Sequence, residues 1–330
     1  MAEEFILSIL IPVYNAEKYL KRCLNSIVLQ KNYNGRIEIL LVNDGATDNS
    51  LSIINDFSLR YENINVISRE NRGIGATRNE LIENAKGKYF WFVDADDYVD
   101  EISLAKIIPL LESDLYDMLL MGYYWGTETD GKIIHYNGEF DSALAMTAHG
   151  IYNNSLWTRV YRKKNIREQN IKFHSYQMGE DFDVIFKLIP YIGKCKCIDL
   201  PLYKYIVNPN SAVMNPSKEH VYRSSDDSLR CMKENFLLMK KFDFETQRIL
   251  RIPLNFFLMG YLYSLYVVPF SLRYKLHVMK LLGQIGALPV TPLPISKNHR
   301  VFSLIINIPF VKYISVMIGA VILKIQGKKL

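Results

Sequence analysis

Cysteine is scarce in this sequence and lacks the spacings that cysteine-based sites use. The 330 residues include four cysteines, and no two of them form a CxxC pair. This excludes a disulfide framework and favours reduced thiols in a cytosolic protein. Cys195 and Cys197 stand one residue apart, so a metal-binding pair there is the alternative to a strand edge. The N-terminal apolar run is short, follows acidic residues and ends at Pro12, which excludes a signal peptide.

Acidic residues are missing from the last quarter of the chain. From Arg251 to Leu330 there are ten Lys or Arg residues and no Asp or Glu, whereas the first 250 residues carry 30 basic and 34 acidic side chains. This asymmetry predicts contact with an anionic surface, either nucleic acid or lipid. The same region is rich in Leu, Ile, Val, Phe and Tyr, which favours lipid.

Two apolar runs in this region approach the length of a membrane span. Residues Ile252 to Leu272 form 21 uncharged positions, interrupted by Asn, Gly, Ser and Pro. Val301 to Leu323 carries Lys312 near its middle, and a charge at the bilayer centre costs about 2.5–3.5 kcal/mol. We expect an interfacial membrane helix. A true span and a soluble helical cap or dimer interface are the alternatives.

Common nucleotide-binding and histidine-based motifs are also missing. There is no GxxxxGK[ST], and "RGIGATRN" supplies only Gly73 and Gly75 of a GxGxxG pattern, with Arg78 at the third glycine position. That segment also follows the third predicted strand, not the first. The six histidines are scattered without metal-ligand spacing. These absences argue against a P-loop enzyme, a dinucleotide-binding enzyme and a histidine-based metal site.

What the sequence does contain is an alternation of strand and helix patterns. Apolar β-rich runs such as "FILSILIPV", "IEILLVND", "INVISRE" and "KYFWFVD" are separated by amphipathic helical patterns. Continuous apolar strands of this kind predict an α/β fold, with a mostly parallel sheet and helices on both faces. From about Asp226 the pattern is mainly helical. We therefore predict an α/β domain over residues 1–215 and a helical, membrane-associated region over residues 216–330.

Polar residues follow each of the first four predicted strands. Because ligands of such sheets bind beyond the carboxyl ends of the strands, these residues are expected to share one rim. They are Pro12, Tyr14 and Asn15 after the first strand, Asn43, Asp44 and Gly45 after the second, Glu70 to Gly73 after the third, and Asp94, Asp96 and Asp97 after the fourth. Turn formation alone would account for the polar residues after any one strand. It accounts less well for polar residues after all four strands.

The acidic groups suit particular chemical tasks. A carboxylate cluster at this edge can hold Mg²⁺ or Mn²⁺ against a substrate diphosphate, with an ordinary turn as the alternative. Asp44 can accept a hydrogen bond from a nucleobase or ribose. Arg78 can reach phosphate or Asp96, or it can be a solvated helix charge. Glu180 and Asp181 open a predicted helix, where they are either capping residues or a general base.

Five segments in order resemble the signature blocks of family 2 glycosyltransferases. They are "SILIPVYNAEKYLKRCLNSI", "EILLVNDGATDNS", "NRGIGATRN", "FWFVDADDYV" and "GEDFDVIFKL", within Ser8 to Met214. The similarity is strongest to bacterial enzymes that build capsule, O-antigen or exopolysaccharide. It implies a GT-A fold and transfer of a hexosyl or N-acetylhexosaminyl group from a nucleotide-sugar, with UDP as the favoured nucleotide.

The resemblance also implies roles for individual residues. Donor-binding roles fall on Pro12, Tyr14, Asn15, Asp44 at the base, Arg78 near the phosphates, and the DxD acids Asp94 and Asp96. Asp96 is the implied Mg²⁺ or Mn²⁺ ligand, and Asp94 is a second candidate. Asp181 matches the catalytic base of an inverting mechanism. Candidates on the acceptor side are Glu180, Trp157 and Arg159.

The sequence departs from the family pattern at two places. Ile206 stands where the family usually has an Arg, so diphosphate binding must use another cation. The block "SLWTRVYRKK" has Thr158 and Arg159 in place of the usual Asn and Lys. The candidate substitutes for the missing Arg are Arg72, Arg78, Arg159 and Lys204.

Together these features predict a metal-dependent inverting glycosyltransferase of bacterial surface polysaccharide synthesis. The expected partners are a nucleotide-sugar, a lipid-linked saccharide acceptor and an anionic membrane surface, without nucleic acid. The expected location is the cytoplasmic face of the membrane, peripheral or monotopic, with a homo-oligomer as a further expectation. A nucleotidyltransferase and a non-catalytic sugar-nucleotide binder are the alternatives. The first usually needs a Gly-rich basic loop, which "IPVYNAEKYL" lacks.

Overall fold

A computed structural model describes residues 5–176, 178–207 and 217–290, together with Leu304 and Asn307. The chain divides into two compact units. The first comprises Met1–Met146, Ser155–Ser175 and Leu188–Pro209, and the second Thr147–Asn154, Tyr176–Lys187 and Asn210–Leu330. The domain boundary after residue 215 stays a prediction. Two short segments that precede it belong to the second unit.

The first unit is built on one mixed sheet of ten strands. The strands are β1 Phe5–Val13, β2 Ile37–Asp44, β3 Ile64–Arg69, β4 Gly87–Phe92, β5 Tyr98–Val99, β6 Met118–Gly126, β7 Gly131–Ile134, β8 Gly138–Phe140, β9 Arg159–Arg162 and β10 Cys195–Ile206. Eight of them lie in the order β3-β2-β1-β4-β9-β6-β10-β5, while β7 pairs with β6 and β8 with β10. The first four strands are mutually parallel, and β9 is antiparallel to both of its neighbours. The predicted α/β class is confirmed, but the sheet is mixed where a mostly parallel one was expected, since four strand pairings are parallel and five are antiparallel.

Continuous apolar runs account for the centre of this sheet. Every residue of β1 and β2 is buried, as expected for strands covered on both faces. The aromatic residues of β4 are also buried, including the fully enclosed Trp91. Helices cover the sheet between strands: α1 Leu20–Val28, α2 Ser50–Arg60, α3 Ile74–Asn84, α4 Ser103–Glu112, α5 Ala143–Ala148 and α6 Lys163–Glu168.

The second unit is mainly helical in its described part. Its helices are α7 Glu180–Leu188, whose last residue belongs to the first unit, α8 Lys218–Met239, α9 Phe244–Val267 and α10 Leu272–Gln284. Three of them begin at side-chain caps, in which Ser217, Asp243 and Ser271 accept backbone N–H groups at 3.2, 3.0 and 3.2 Å. The helical pattern predicted from about Asp226 therefore starts slightly earlier, at Lys218.

The predicted apolar run of residues 252–272 extends beyond the helix that contains most of it, and only its last residue, Leu272, lies in α10. Most of it lies in α9, which also carries Glu245, Arg248 and Arg251, and the helix ends at Val267. Within the described residues, no helix combines the length and hydrophobicity needed to cross a bilayer. The second predicted run, residues 301–323, lies outside the described residues apart from Leu304 and Asn307. All four cysteines are buried, and none of them forms a disulfide in the structure.

Candidate active site

The loop after β1 is tied to the loop after β2 by Asn15. Asn15 adopts a positive φ of 48°, which Asn tolerates better than most residues. Its side-chain oxygen accepts a hydrogen bond from the Thr47 backbone N–H at 2.8 Å. Pro12 is buried within β1, whereas the Tyr14 ring is exposed. The first predicted donor-binding segment therefore presents one aromatic ring beside a fixed turn.

Asp44 binds the backbone of the loop that follows β3. Its two carboxylate oxygens accept the backbone N–H groups of Arg72 at 2.8 Å and Gly73 at 3.0 Å. The carboxylate also forms an ion pair with the Arg69 guanidinium. A carboxylate offers about four acceptor positions, so about one is left unused on a side chain that is itself buried. Gly73 has a φ of 85°, which glycine adopts without strain, and α3 begins at the next residue.

Helix α3 carries Arg78 to the acid cluster. The Arg78 side chain is almost fully buried, and its Nη2 atom lies 3.6 Å from Asp94 Oδ1. Its guanidinium carbon lies 5.6 Å from the centre of the Phe173 ring. Asn79 fixes this arrangement, because its side chain exchanges two hydrogen bonds with the Phe173 backbone at 2.8 and 2.9 Å. Arg78, which was expected to reach phosphate or Asp96, thus lies beside the neighbouring acid Asp94.

The three acids after β4 occupy different environments. Asp94 and Asp96 are partly exposed, while Asp97 is buried. The Tyr203 hydroxyl donates to Asp97 Oδ2 at 2.8 Å, and the Ile206 N–H donates to Asp97 Oδ1 at 3.0 Å. Burial, followed by the charges of Asp94 and Asp96, raises the pKa of the Asp97 carboxyl well above its ordinary value. Asp97 therefore anchors β10, leaving the other two acids toward solvent.

Tyr203 also supports the acid loop directly. Its hydroxyl oxygen accepts the Asp94 backbone N–H at 3.1 Å, so one buried hydroxyl joins Asp94 and Asp97. The Tyr203 ring stacks on Trp157 at 4.4 Å, and Trp157 also stacks on Tyr205 at 5.5 Å. Asp97 was expected at the rim as part of the acid cluster but is buried, and Tyr203 was not predicted as a site residue. The only signal for them was the fourth position of "DADD" and the aromatic pattern of "PLYKYIV".

The four candidate cations behave differently in the fold. Arg159 is enclosed in the core, where its Nη1 donates to Ser155 O at 2.6 Å and to the Thr158 hydroxyl at 3.1 Å. Lys204 forms an ion pair with Asp100 at 3.0 Å. Arg72 follows β3, and its backbone is held by Asp44. Arg78, in contrast, lies beside Asp94, one of the two predicted DxD acids.

The predicted base lies in the second unit, at the start of α7. Glu180, Asp181 and Asp183 all fall in the first turn of this helix, where the helix dipole favours negative charge. Glu180 and Asp181 are partly exposed. Asp183 is fully buried and accepts from Lys187 at 2.6 Å and Asn235 at 2.8 Å. Asp183 thus fixes the helix, and Asp181 retains access to solvent.

The acid loop fits a divalent cation that substrate phosphates complete. Carboxylate oxygens are the donors that Mg²⁺ and Mn²⁺ prefer, and Asp94 and Asp96 present two such groups at a strand end. Across the described ranges, no group of three or more His, Cys, Asp or Glu side chains is arranged to hold an ion. An ion held by Asp94 and Asp96 would therefore need further ligands, which the oxygens of a bound diphosphate can supply.

Comparison with known proteins shows which family this chain resembles. The family model described as Glycosyl transferase family 2 matches residues 8–179, more than half of the chain. The chain is 29% identical over 223 residues to the uncharacterized glycosyltransferase EpsJ of Bacillus subtilis, covering 64% of each protein. It is 30% identical to the poly(ribitol-phosphate) beta-glucosyltransferase of Bacillus spizizenii over 70% of this chain and 37% of the relative. The chain thus spans less than two thirds of the length of these relatives.

A solved structure shares the fold over almost the whole chain. The structure of S. aureus TarS 1-349 in complex with UDP-GlcNAc has a TM-score of 0.74 and 20% identity, covering 98% of this chain and 93% of that chain. At this identity the similarity shows the fold alone, which is the GT-A architecture predicted from the sequence. With the family model and the ordered strand-end motifs, it leads to one assignment: this chain belongs to glycosyltransferase family 2.

Proposed function

We propose that this protein is a metal-dependent inverting glycosyltransferase. It transfers a sugar from a nucleotide-sugar, with UDP favoured, to a hydroxyl of a lipid-linked saccharide in bacterial surface polysaccharide synthesis. The observation that carries the proposal is the rim of the first unit, where Asp94 and Asp96 are partly exposed beside the buried Arg78. The UDP-GlcNAc in the TarS complex and the glucosyltransferase named among the relatives support a nucleotide-sugar donor.

Donor binding is assigned to the strand ends of the first unit. Asp96, with Asp94, would hold Mg²⁺ or Mn²⁺, which when bound offsets the charge of the departing diphosphate. Arg78 supplies a buried positive charge beside Asp94 and is assigned to the phosphates, in place of the Arg missing at Ile206. The exposed Tyr14 ring offers a surface for the base, and the remaining acceptor position of Asp44 suits an N–H of that base.

The chemical step is assigned to Asp181. Its carboxylate takes the proton of the acceptor hydroxyl as the acceptor oxygen bonds to the anomeric carbon. The bond between that carbon and the diphosphate oxygen breaks, and the nucleoside diphosphate leaves with the electron pair. One displacement inverts the anomeric centre, so an α-linked donor yields a β-linked product.

Replacing Asp181 by asparagine tests this assignment. The Asn variant keeps size and hydrogen-bonding capacity but cannot accept the proton, so the transfer rate should fall by about 10²–10⁴-fold. Nucleotide-sugar affinity should stay unchanged. Glu180→Gln is the matched control, since it removes the neighbouring charge from the same helical turn. An equal loss of donor affinity and rate in Asp181→Asn, or an α-linked product by NMR, would contradict the mechanism.

The basic C-terminal region is proposed to bring the enzyme to the cytoplasmic face of the membrane. Ten Lys or Arg residues and no acid lie between Arg251 and Leu330. Each basic residue near an anionic bilayer contributes about 1 kcal/mol, and salt screens this attraction. The apolar segments of the region would add a contribution that salt does not remove. A lipid-linked acceptor would be met at the same surface.

A further inference from the structure

The second unit contains a cavity of about 470 Å³ that the proposed mechanism does not use. One wall is a face of α8 that includes Ser224, Ser225 and Ser228, and the other is a face of α9 that includes Phe256 and Gly260. On each helix the lining residues are mostly neighbouring pairs that repeat every four residues, so each helix contributes a single face. Small residues on these faces keep the two helices from filling the space. The volume falls in the range of about 300–1,000 Å³ that is typical of ligand pockets.

Hydroxyl groups line much of this cavity. The Ser225 and Tyr261 hydroxyls lie 3.0 Å apart and share a hydrogen bond. Ser228 Oγ donates to Ser224 O at 2.8 Å, and Ser264 Oγ donates to Tyr261 O at 2.7 Å. Each hydroxyl oxygen can still accept a hydrogen bond, because a hydroxyl has one donor and two lone pairs. The wall therefore offers several fixed acceptors to a ligand.

One polar atom of the lining has no partner in the described part of the chain. The side-chain oxygen of Asn154 is buried and accepts no hydrogen bond from any described residue. Buried polar atoms are nearly always hydrogen-bonded, so an exception requires a reason. A ligand hydroxyl donating to Asn154 Oδ1 would satisfy it.

The charge and shape of the lining select the class of ligand. The described lining residues include His220 but no Asp, Glu, Lys or Arg, so the lining offers a phosphate no permanently charged partner. A hydrocarbon chain would desolvate the Ser and Asn groups without replacing their hydrogen bonds to water. A pyranose ring has apolar C–H faces that suit the rings of Phe256 and Phe257, and hydroxyls around its edge that suit the opposite wall.

We propose that this cavity binds a neutral saccharide unit of the acceptor. That the bound sugar belongs to the acceptor rests on the proposed function, whereas the binding of a sugar is inferred from the lining alone. Met178 lines the cavity and stands two residues before Glu180, where α7 begins. Gly179, between them, adopts a φ of 100° and is packed near Phe257 and Cys231. The sugar site is therefore connected by a short, fixed turn to the helix that carries Asp181.

Gly260 provides a direct test, because it belongs to the lining of the cavity. Gly260 is exposed, and a Cβ built on it meets no atom within 4 Å, so a larger residue fits the backbone without a clash. Gly260→Leu adds a bulky side chain to the lining, and Gly260→Ala is the matched control that adds only a methyl group. Both residues favour a helix more than glycine does, so both variants should unfold at or above the wild-type temperature.

Saturation-transfer NMR of the full-length protein would measure binding of maltose, lactose, cellobiose and N,N′-diacetylchitobiose. We expect at least one of these sugars to bind the wild type and Gly260→Ala. Gly260→Leu should bind it at least about tenfold more weakly, because the added side chain and the sugar exclude each other. Binding of none of the four sugars, or equal binding by Gly260→Leu, would overturn the proposal. Binding of farnesol in place of the sugars would overturn it in favour of a lipid site.

A separate measurement distinguishes failure of the cavity from failure of the enzyme assignment. Thermal stabilisation by UDP-GlcNAc and Mn²⁺ reports on the donor site, and Gly260→Leu should leave it unchanged. If the wild type binds a sugar but is stabilised neither by UDP-GlcNAc nor by the other nucleotide-sugars tested with Mn²⁺, the donor assignment is rejected and the sugar site is retained. Loss of sugar binding with donor binding intact would reject the sugar site alone.

Discussion

Replacing Tyr203 by phenylalanine removes the side-chain hydroxyl that bonds both Asp94 and Asp97. The Tyr203 ring is fully buried and stacks on Trp157 at 4.4 Å, so the phenyl ring of the variant keeps this packing. The Asp97 carboxylate loses its donor at 2.8 Å and keeps the one from Ile206. The Asp94 N–H loses its acceptor at 3.1 Å. The substitution therefore removes two hydrogen bonds of a buried hydroxyl and leaves the packing of the ring unchanged.

The expected loss of stability follows from these two contacts. A buried donor or acceptor left without a partner costs about 1–3 kcal/mol, and bonds to charged groups lie at the upper end. Two such groups give a lowering of the free energy of unfolding by about 2–4 kcal/mol, since the loop can relax. Because Asp94 lies in the acid loop, the affinity for Mn²⁺ with UDP-sugar should fall as well.

Urea unfolding and donor titration measure both effects, with Tyr205→Phe as the matched control. Tyr205 lies two residues along the same strand and also stacks on Trp157, but its hydroxyl makes no hydrogen bond to a described residue. The control should stay within about 0.5 kcal/mol of wild type, as most isolated surface changes do. If Tyr203→Phe matches Tyr205→Phe in stability and donor affinity, the assigned positioning role of Tyr203 is wrong.

Two further results are expected. Asp114 accepts hydrogen bonds from Lys88 at 2.7 Å and from Arg162 at 2.5 Å, and these contacts lower its pKa to about 2. The stability that ionised Asp114 gives the folded protein is therefore complete above the ordinary carboxyl pKa of about 3.9. It is lost as the pH falls toward 2. Asp114→Asn should lower urea stability at pH 7 by up to about 1 kcal/mol, a surface-pair value, and a gap to wild type that does not shrink at pH 3 would contradict this. Full-length protein should sediment with anionic vesicles and be only partly released by high salt, whereas neutral vesicles should retain less of it. Failure to bind anionic vesicles at low salt would remove the support for a membrane location.

Much of the fold was predictable because local patterns and burial agree. The run "IEILLVND" coincides with β2, Ile37–Asp44, since strands covered on both faces are continuously apolar. The order of strands beyond β4 was not predictable. Strand β9 enters between β4 and β6 in the antiparallel direction, and no local signal in "RVYR" specifies partners so far away in sequence.

In the site, too, features set by neighbouring residues were predictable from the sequence, whereas features set by distant residues were not. That polar residues would follow each strand was visible, and Arg78 does lie near Asp94. The burial of Asp97 was not visible, because its partner Tyr203 is 106 residues away. Nor did the pattern reveal that Asp44 already accepts two backbone N–H groups and pairs with Arg69. Side-chain roles that depend on long-range contacts require the structure.

Metal-dependent binding of a nucleotide-sugar tests the central claim most directly. Wild-type protein and Asp96→Asn would be heated with UDP-, GDP- and dTDP-sugars in the presence of Mn²⁺ or EDTA. Ligand at 100 times its dissociation constant stabilises a folded protein by about 2.7 kcal/mol, which is readily measured as a rise in the unfolding temperature. We predict such a rise for the wild type with at least one UDP-sugar and Mn²⁺, no rise with EDTA, and none for Asp96→Asn. No stabilisation by any of these sugars, or equal stabilisation of Asp96→Asn, would contradict the assignment of Asp96 and the donor site.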